Sequence, residues 1–579
     1  MIKKLAKSLR EYKKYAILTP ALMIVEVAME VFIPLVIVWF GTCLENADGK
    51  GMITYGVLMV LSAIVSLIAG MFGGKFCAKA STGFGKNLRK DMYDNIQNYS
   101  FSNIDKFSTS SLMTRLTTDV SNVQMAFMMI IRIAVRSPLM FIFSIVMSFA
   151  ISPTLPALFA VTIPILGFGI AIIIKNAMPI FRRVFKKYDN LNNSIQENVR
   201  GMRVVKAYVR EDYETEKMAK VSTELQKDFT KAERILAFNE PLMQFCLNIS
   251  LIAIAFFGSR IILGGSSTLT VIGLTSMLTY SLQILMSLQM LSMIFVMLTL
   301  SVESARRITE VIDEKSDLFN PENPIYQVKD GSILFKNVSF KYSKQSENYA
   351  LKDINLEIKS GETIGVLGGT GSSKTTLVNL ISRLYDVTDG ELLVGGINVK
   401  DYDMEVLRNN ISVVLQKNVL FSGTIKDNMR WGDKNATVEE IINACKIAQA
   451  HDFIMQFPDG YDTFIEQGGS NVSGGQRQRL CIARALLKKP KVIILDDSTS
   501  AVDMKTDALL RKAFKEEIPD TTKIIVAQRV ASVEDADKII LMDNGKISAV
   551  GTHEELLSNN AIYQEIYNTQ TQNKEGGNE

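Results

Sequence analysis

Residues 137–174 read SPLMFIFSIVMSFAISPTLPALFAVTIPILGFGIAIII, which is a run of 38 residues without one Asp, Glu, Lys or Arg. A second run, of 42 uncharged residues, extends from Ile261 to Val302. The whole chain of 579 residues is 47% hydrophobic and 21% charged, which is ordinary for a globular protein. The apolar residues are therefore concentrated in part of the chain, and this distribution excludes a purely soluble fold.

Both runs are long enough for two membrane crossings, because an apolar helix needs about 20 residues to cross a bilayer. Each run also contains a turn signal, with two prolines in Ser152-Pro153-Thr154-Leu155-Pro156 and a Gly/Ser cluster in Gly264-Gly265-Ser266-Ser267. With the other apolar segments, the sequence predicts six spans, at residues 17–42, 54–76, 126–150, 155–175, 242–263 and 271–298.

The Lys and Arg residues between the spans predict the orientation, because positively charged loops stay in the cytoplasm. Six lie in residues 1–16, seven in 75–127 and fourteen in 175–240, whereas 43–53 has only Lys50 and 151–155 has none. We therefore expect a multi-pass protein of the cell (plasma) membrane with both termini cytoplasmic. The two long cytoplasmic loops have helical periodicity, so we expect helices that extend beyond the membrane.

The composition changes after residue 303. Residues 304–330 are charged and contain Pro321 and Pro324, which indicates a linker. Later segments alternate as half-buried strands do (333–342 and 354–358), or are unbroken apolar runs typical of buried strands (492–495 and 524–527). We predict a transmembrane domain at 1–303, a linker at 304–330, an α/β domain at 331–569 and a disordered tail at 570–579.

Two function classes are excluded by composition. A net charge of +4 that is spread over the chain does not form the basic surface that nucleic-acid binding needs. The five cysteines lie far apart, without the paired spacing of zinc or redox sites, and are expected to be buried apolar residues.

A phosphate-binding pattern follows the strand at 363–367. The loop reads Gly368-Gly369-Thr370-Gly371-Ser372-Ser373-Lys374-Thr375, and a helix is predicted from Thr376. Backbone amides at a helix N-terminus bind phosphate, the lysine reaches the outer phosphates and the Thr375 hydroxyl can hold Mg²⁺. Ser373 stands where the pattern has its last glycine, so its Cβ would crowd or strain the backbone. The alternative from this motif alone is an ordinary Gly/Ser turn.

Further motifs favour the nucleotide interpretation. The strand 492–495 ends in Asp496, a carboxylate placed to act on the nucleotide's Mg²⁺. The stretches Asn471-Val472-Ser473-Gly474-Gly475-Gln476 and Ser500-Ala501-Val502-Asp503, with Gln416, resemble the signature motif, D-loop and Q-loop of ABC transporter ATPases. With six spans ahead of them, the chain resembles a half-transporter of the type I ABC exporter class. The fold this implies is a membrane domain of six transmembrane helices followed by an α/β P-loop ABC ATPase domain.

This resemblance implies roles for residues that match the family's motifs. Tyr342 resembles the aromatic that stacks on adenine, and Gln416 resembles the residue that senses Mg²⁺ and the γ-phosphate. Ser473, Gly474 and Gly475 are similar to the signature that caps ATP on the opposite subunit. Gln476 and Asp503 are expected to act on the same ATP of the opposite subunit. Residues 101–119 and 197–211 resemble the coupling helices that dock on the ATPase domains. Consequently, each ATP would lie between two ATPase domains of a dimer.

Three positions depart from the family's pattern. Asp497 stands where the family has the catalytic Glu, and its side chain is one methylene shorter. Gln528 stands where the family has the switch histidine, and Ser373 replaces the loop glycine. Because all three belong to one ATP site, we expect a degenerate site in a heterodimer, like that of heterodimeric bacterial multidrug exporters. A different half-transporter chain would then supply the hydrolysing site's Walker motifs and glutamate, and this chain would supply the signature.

Charged residues also occur inside or near the spans. Glu26 and Glu30 lie one turn apart in the first span, where charges are costly and are functional candidates by default. The two glutamates are a candidate substrate site in the membrane. They would either line a cavity that attracts cations or form an inter-helix ion pair that shifts during transport. The alternative is a purely structural role. Arg132 and Arg136, near the third span, are expected in a cytoplasmic helix extension or snorkelling to the surface.

The leading functional prediction is an ATP-driven exporter of amphipathic or hydrophobic compounds that uses ATP and Mg²⁺. One alternative is a lipid or peptide exporter of the same architecture. Another is a nucleotide-regulated membrane protein that does not pump.

Overall fold

The computed structural model describes residues 1–264, 269–343, 346–497 and 502–575. It divides the chain into two units: residues 1–97 with 108–314, and residues 98–107 with 315–579. The α-helices of the first 314 residues are α1 (Ile2–Leu5), α2 (Lys13–Glu45), α3 (Gly49–Gln97), α4 (Phe101–Lys106), α5 (Thr109–Thr114), α6 (Val120–Ile151), α7 (Phe159–Ala207), α8 (Glu211–Ala237), α9 (Asn239–Leu263) and α10 (Val271–Asp313).

Six helical stretches in the described residues are long and apolar enough to cross a membrane. They lie within Ile2–Glu45, Gly49–Gln97, Thr109–Ile151, Leu155–Phe181, Glu211–Leu263 and Val271–Phe295, so the prediction of six apolar helices is confirmed. The helices α3 and α7 have 49 residues each, which is about 70 Å at 1.5 Å per residue and more than twice the bilayer core. The long loops that were predicted to be cytoplasmic are therefore helical extensions of the spans, as the periodicity predicted.

The turns between spans follow the sequence signals. Helix α6 ends at Ile151, and a 3₁₀-helix, Leu155–Leu158, leads into α7. The other predicted turn begins at Gly264, directly after α9, and its residues 265–267 lie outside the described residues.

Helix packing in the first unit uses hydroxyl groups of α10 that donate to backbone carbonyls of α2 next to a proline. Pro34 lies inside α2 and cannot donate a backbone hydrogen bond. The Tyr280 hydroxyl of α10 donates to the Val31 carbonyl at 2.8 Å, and the Ser276 hydroxyl donates to the Pro34 carbonyl at 2.9 Å. Since an apolar medium offers no water to these hydroxyls, the two hydrogen bonds hold α10 against α2.

The second unit contains the strands and the remaining helices. The strands are β1 (Ile333–Phe340), β2 (Leu351–Ile358), β3 (Thr363–Gly368), β4 (Asp389–Val394), β5 (Ile397–Asn398), β6 (Ile411–Val414), β7 (Gly423–Thr424), β8 (Phe464–Ile465), β9 (Val492–Asp496), β10 (Thr522–Val526), β11 (Lys538–Asp543) and β12 (Lys546–Gly551). The helices are α11 (Lys374–Ile381), α12 (Met404–Asn410), α13 (Ile425–Met429), α14 (Val438–Ile447), α15 (His451–Ile454), α16 (Gly474–Leu486), α17 (Met504–Glu517), α18 (His553–Asn559) and α19 (Ala561–Glu575).

A six-stranded sheet in the order β12-β11-β3-β10-β9-β6 forms the centre of this unit. Its strands are parallel except for β12. Every residue of β9 and β10 is buried, as expected for strands covered on both faces. A second sheet, β2-β1-β4-β5, is antiparallel, and β7 pairs with β8. The predicted α/β domain is confirmed.

Two segments differ from their predictions. Helix α10 continues to Asp313, so the first ten residues of the predicted linker are helical, and Ile308 and Val311 are fully buried. The predicted disordered tail is helical as far as Glu575, and residues 576–579 lie outside the described residues. The Gln570 side chain holds this helix against its neighbours, because it donates to the Gln528 carbonyl and accepts from the Val530 amide, both at 2.9 Å.

Candidate functional site

The loop between β3 and α11 contains most of the predicted phosphate-binding residues. Gly368 has φ +152°, and a Cβ there would lie 2.3 Å from the Met542 carbonyl oxygen, so only glycine fits. The Lys374 ammonium group donates to the carbonyls of Gly368 and Gly369 at 2.8 and 2.9 Å. Burial lowers the pKa of Lys374, because a buried ammonium loses its hydration. The lysine side chain thus folds back along the loop that precedes it.

Ser373 adopts the left-handed conformation, with φ +71° and ψ +26°, directly before α11. The sequence predicted backbone strain at this residue, since the family's motif has glycine here. A side chain other than glycine's costs free energy in this region because its Cβ approaches the backbone. The Ser373 hydroxyl makes no hydrogen bond that caps the helix. The loop therefore has, at this position, the left-handed backbone conformation that glycine adopts easily and that strains a serine.

Thr375 and Asp496 meet at the carboxyl end of β9. The Thr375 hydroxyl donates to the Asp496 carboxylate at 3.1 Å, and Asp496 is 2% exposed. Burial raises the pKa of the Asp496 carboxyl, and the hydrogen bond from Thr375 acts against that effect. A hydroxyl and a carboxylate in contact are hard oxygen donors of the kind that Mg²⁺ prefers. The two residues thus fit a magnesium ion by the chemistry of their donors.

Three glutamines surround Asp497, which itself has φ +50°. The side-chain amides of Gln528 and Gln416 donate to the same carboxylate oxygen, Oδ2, at 3.0 and 3.4 Å. The amide of Gln478, which is 1% exposed, donates to the Asp497 backbone carbonyl at 3.4 Å. Two residues at which the sequence departs from the family, Asp497 and Gln528, are therefore in direct contact.

Tyr342 lies beside the same loop. Its hydroxyl is 2.8 Å from the Thr376 hydroxyl, and its ring packs edge-on against Phe340 and Tyr385. The residue is 51% exposed, so part of the ring remains open to a ligand.

The signature residues form the N-terminus of α16. The Ser473 hydroxyl accepts from the Gln476 amide at 3.2 Å, and the Gln476 side chain accepts from the Ser473 amide at 2.9 Å. This reciprocal pair is a capping box. Ser473 and Gly474 are exposed, and an exposed helix N-terminus can bind an anion. Gln478, on the same helix, connects this motif to Asp497.

Asp503 caps the helix that follows the D-loop. It accepts from the Thr506 amide at 2.9 Å, and the Thr506 hydroxyl donates to it at 2.7 Å. These bonds, first the amide and then the hydroxyl, lower the pKa of the Asp503 carboxyl. Ser500 and Ala501 of the predicted D-loop lie outside the described residues.

Sequence reasoning missed Gln478 and Tyr385. Tyr385 donates to Asp105 of α4 at 2.6 Å, its ring is 6.0 Å from that of Phe101 and it contacts Tyr342. Burial, and then the Asp105 hydrogen bond, raise the pKa of the Tyr385 hydroxyl. Helix α4 begins the predicted coupling segment 101–119, whose residues 101–107 belong to the ATPase-like unit. No local pattern marks either residue, because their partners are distant in sequence.

A charged cluster joins two of the spans. The Arg136 guanidinium of α6 donates to Glu26 at 3.0 Å and to Glu30 at 2.7 Å, both of which lie on α2. The expectation that Arg136 lies in a cytoplasmic extension or reaches the surface was wrong, because the two glutamates hold it between the helices. The inter-helix ion pair considered for Glu26 and Glu30 is present.

Comparisons with known proteins match both units. Residues 16–288 match the family described as ABC transporter transmembrane region, and residues 351–500 match the family described as ABC transporter. An uncharacterized ABC transporter ATP-binding protein of Bacillus subtilis (strain 168), YfiB, is 36% identical over 97% of each chain. This chain belongs to the ABC transporters. It is therefore a membrane protein with an ATP-binding ABC ATPase domain, and a transport ATPase.

Other relatives of this ABC transporter also cover most of its length. An ABC transporter ATP-binding protein of Mycobacterium tuberculosis (strain ATCC 25618 / H37Rv) is 34% identical over 98% of each chain. The ATP-dependent lipid A-core flippase of Syntrophus aciditrophicus (strain SB) is 31% identical over 85% of this chain and 81% of its own. The solved structure of a bacterial Atm1-family ABC exporter with ATP bound has the same fold, with a TM-score of 0.81 at 21% identity over 97% of this chain and 98% of that one.

Proposed function

We propose that this ABC transporter is one half of a heterodimeric exporter of amphipathic or hydrophobic compounds, in which it carries the degenerate ATP site. Both termini are cytoplasmic in this proposal, because the Lys and Arg residues are concentrated in the loops on that side. The partner is a second, different half-transporter chain.

ATP would be held by the residues of the β3–α11 loop and by Tyr342. The loop amides and Lys374 would bind the phosphates, and the exposed part of the Tyr342 ring would stack on the adenine. Thr375 and Asp496 would hold Mg²⁺, with Gln416 beside them, and the ion would neutralise phosphate charge. Of these residues, Lys374 must release the carbonyls of Gly368 and Gly369 to reach a phosphate.

The environment of Asp497 is the observation that supports a degenerate site. A general base must lie within hydrogen-bond reach of the attacking water, and donors that bind its carboxylate make it a weaker base. Here Oδ2 of a shortened side chain already accepts from Gln416 and Gln528. Gln528 is neutral at every pH, so it cannot supply the positive charge of a histidine to the γ-phosphate. Hydrolysis at the site formed by this chain's own loop would therefore be slow.

The signature motif supports a catalytic role for the opposite site. Ser473 caps α16 with good geometry, and Ser473 and Gly474 are exposed to a partner. A motif that acts only on the partner's ATP is useful if ATP is hydrolysed there. A nucleotide-regulated protein that does not pump would use this motif only to bind ATP, without hydrolysis.

A lipid exporter is the second candidate. One relative is named an ATP-dependent lipid A-core flippase, at 31% identity, and a lipid is itself an amphipathic compound.

Transport by the reconstituted heterodimer tests the proposal. Inside-out vesicles that contain both chains should accumulate a fluorescent amphipath when ATP and Mg²⁺ are added, and Lys374→Ala together with the equivalent change in the partner should abolish accumulation. The same vesicles loaded with a fluorescent lipid distinguish the lipid candidate. Ion current without ATP-driven accumulation of either probe would contradict export.

A further inference from the structure

Gln570, in the C-terminal helix α19, holds the segment that follows β10 at two points. Its side-chain amide donates to the Gln528 backbone carbonyl, and its side-chain oxygen accepts from the Val530 amide, both at 2.9 Å. A glutamine side chain can do this because it has a donor and an acceptor on one planar group. The residue before this segment, Ala527, still bonds to β3, with its amide 3.1 Å from the Val366 carbonyl. Gln570 therefore fixes the backbone of Gln528 just beyond the end of the sheet.

Helix α19 is anchored firmly enough to hold this position. Tyr563 lies about two helical turns before Gln570 and so on the same face. It is fully buried, and its hydroxyl is 2.7 Å from His553 Nδ1. The Gln564 side chain donates to the Leu557 carbonyl of α18 at 2.7 Å. The start of α19 is thus part of the core of the ATPase-containing unit, and Gln570 extends that support to the segment after β10.

The Gln528 side chain connects this support to the nucleotide loop. Its amide donates to Asp497 Oδ2 at 3.0 Å. Asp497 in turn lies near Lys374, because burial lowers the pKa of Lys374 and the charge of Asp497 acts against that effect. A lysine at this place in the loop reaches the outer phosphates of a nucleotide, so the terminal phosphate of ATP would come close to the Asp497 carboxylate. The two negative groups repel each other, and each donor on the carboxylate offsets part of that repulsion.

We propose that Gln570 is a positioning residue for ATP binding at this chain's own site, where it holds Gln528 against Asp497 and so reduces the repulsion between that carboxylate and the terminal phosphate of ATP. The inference rests on the proposed binding of ATP by the β3–α11 loop and adds the C-terminal helix to that site. Without the two bonds from Gln570, the Gln528 backbone would move and its amide would leave Asp497 for part of the time. ATP would then bind more weakly, whereas ADP, which has no terminal phosphate at this place, would not.

Equilibrium binding of radiolabelled AMP-PNP and ADP, each with Mg²⁺, to this chain alone in nanodiscs tests the proposal. AMP-PNP has the terminal phosphate and is not hydrolysed. Gln570→Met keeps the length and helix propensity of the side chain and removes the amide. It should weaken AMP-PNP binding about five-fold, the effect of one ordinary hydrogen bond, and leave ADP binding unchanged. Gln564→Met removes a side-chain bond of the same kind from the same helix and should leave the binding of both nucleotides unchanged.

The Asp497→Asn background separates positioning from a general loss of structure. Without the carboxylate charge, Gln570→Met should no longer weaken AMP-PNP binding, because the two changes act through one contact and their effects are not additive. Hydrogen exchange in residues 527–533 should be faster in Gln570→Met in both backgrounds, since the Val530 amide has lost its acceptor. If Gln570→Met does not fold, Gln570→Glu gives the same comparison, because its carboxylate cannot donate to the Gln528 carbonyl.

Equal weakening of AMP-PNP and ADP would overturn the proposal, as would equal effects of Gln570→Met and Gln564→Met. An undiminished effect in the Asp497→Asn background, or unchanged hydrogen exchange in residues 527–533, would also overturn it. Failure of the unsubstituted chain to bind either nucleotide would contradict the proposed ATP site, and this inference with it. Brisk hydrolysis by the lone chain would contradict the degenerate site alone and leave the role of Gln570 in place.

Discussion

Asp497 lies in contact with another residue at which this chain departs from the family's pattern. Its carboxylate accepts from Gln528, the residue at the switch position, and from Gln416. The Gln570 side chain of α19 donates in turn to the backbone carbonyl of Gln528. Ser373, the third departure, lies at the N-terminus of α11 next to Lys374 and is strained. The substitutions therefore combine a carboxylate occupied by amide donors with a loop that stores conformational strain.

Replacing Ser373 with glycine should stabilise the protein. At φ +71°, a non-glycine residue costs roughly 1–2 kcal/mol, and the greater freedom of glycine in the unfolded chain offsets about 0.5–1 kcal/mol of that. We expect Ser373→Gly to raise the melting temperature of the ATPase-containing unit by about 2–4 °C, measured by differential scanning fluorimetry of the whole chain in nanodiscs.

Ser372→Gly is the matched control for this change. Ser372 is the preceding residue, is 5% exposed and donates to the Gly369 carbonyl at 2.9 Å, without a positive φ. It should lower the melting temperature or leave it unchanged. An equal gain from both variants, or no gain from Ser373→Gly, would show that the left-handed backbone is not the source of strain.

The local motifs of the site could be predicted because each is contiguous in sequence. Lys374 and Thr375 follow a strand and begin a helix, and Asp496 ends a buried strand, so their positions follow from the pattern. The contacts of Gln478 with Asp497 and of Tyr385 with Asp105 join separate elements. Such contacts depend on the packing of the whole unit, and no spacing rule indicates them.

At the scale of elements, Tyr385 holds α4 against the rest of the ATPase-containing unit. The Tyr385 hydroxyl donates to Asp105, and its ring contacts Phe101 and Tyr342. A hydrogen bond to a charged acceptor contributes about 1.5–3 kcal/mol. Tyr385→Phe should therefore speed amide hydrogen exchange in residues 101–106 by roughly ten-fold or more, since each 1.4 kcal/mol of local stability is a factor of ten.

Tyr349→Phe controls for the loss of a tyrosine hydroxyl from the same unit. Tyr349 donates to Asp389 at 3.1 Å, and its removal should not alter exchange in residues 101–106. Unchanged exchange in Tyr385→Phe would mean that ring packing alone holds α4.

A second connection between elements lies in the membrane-containing unit, at the start of α6. Asp119 is fully buried, and it accepts from Arg307 at 2.8 Å and from the Ser304 hydroxyl at 2.8 Å, both on α10. Asp119→Asn removes the charge that these donors share. Because the Arg307 side chain is 37% exposed, water compensates part of the loss, and we expect about 1–2 kcal/mol of destabilisation.

The melting temperature of the membrane-containing unit checks this expectation. Glu303→Gln is its control, because Glu303 forms an exposed ion pair with Arg306 on the same helix and exposed pairs contribute little. Equal effects of the two variants would contradict a special role for the buried carboxylate.

The order of the elements could be predicted from hydrophobic runs, breaks and strand patterns. The end of α10 could not be predicted, because a charged segment with two nearby prolines resembles a linker. Ile308 and Val311 are fully buried and extend the helix through packing, which composition does not reveal. The tail was missed for the same reason, since Gln570 is ordered by contacts with residues about forty positions away.

At the scale of the whole molecule, the proposed exporter needs two different chains. This chain would contribute a weak site through Asp497 and Gln528, and a competent signature through Ser473. A homodimer would combine two weak sites, whereas a heterodimer would combine one weak and one active site. The rate of ATP hydrolysis should therefore depend on the partner and on the partner's own glutamate.

ATP hydrolysis by this chain alone, and again with the partner chain, tests that claim most directly. Each preparation is measured with Asp497→Asn in this chain and with glutamine in place of the glutamate after the partner's Walker B aspartate. We predict background activity for the lone chain, activity in the pair that falls at least a hundred-fold with the partner's substitution, and less than a three-fold effect of Asp497→Asn. Brisk hydrolysis by the lone chain that Asp497→Asn abolishes would show a symmetric pump and contradict the degenerate site.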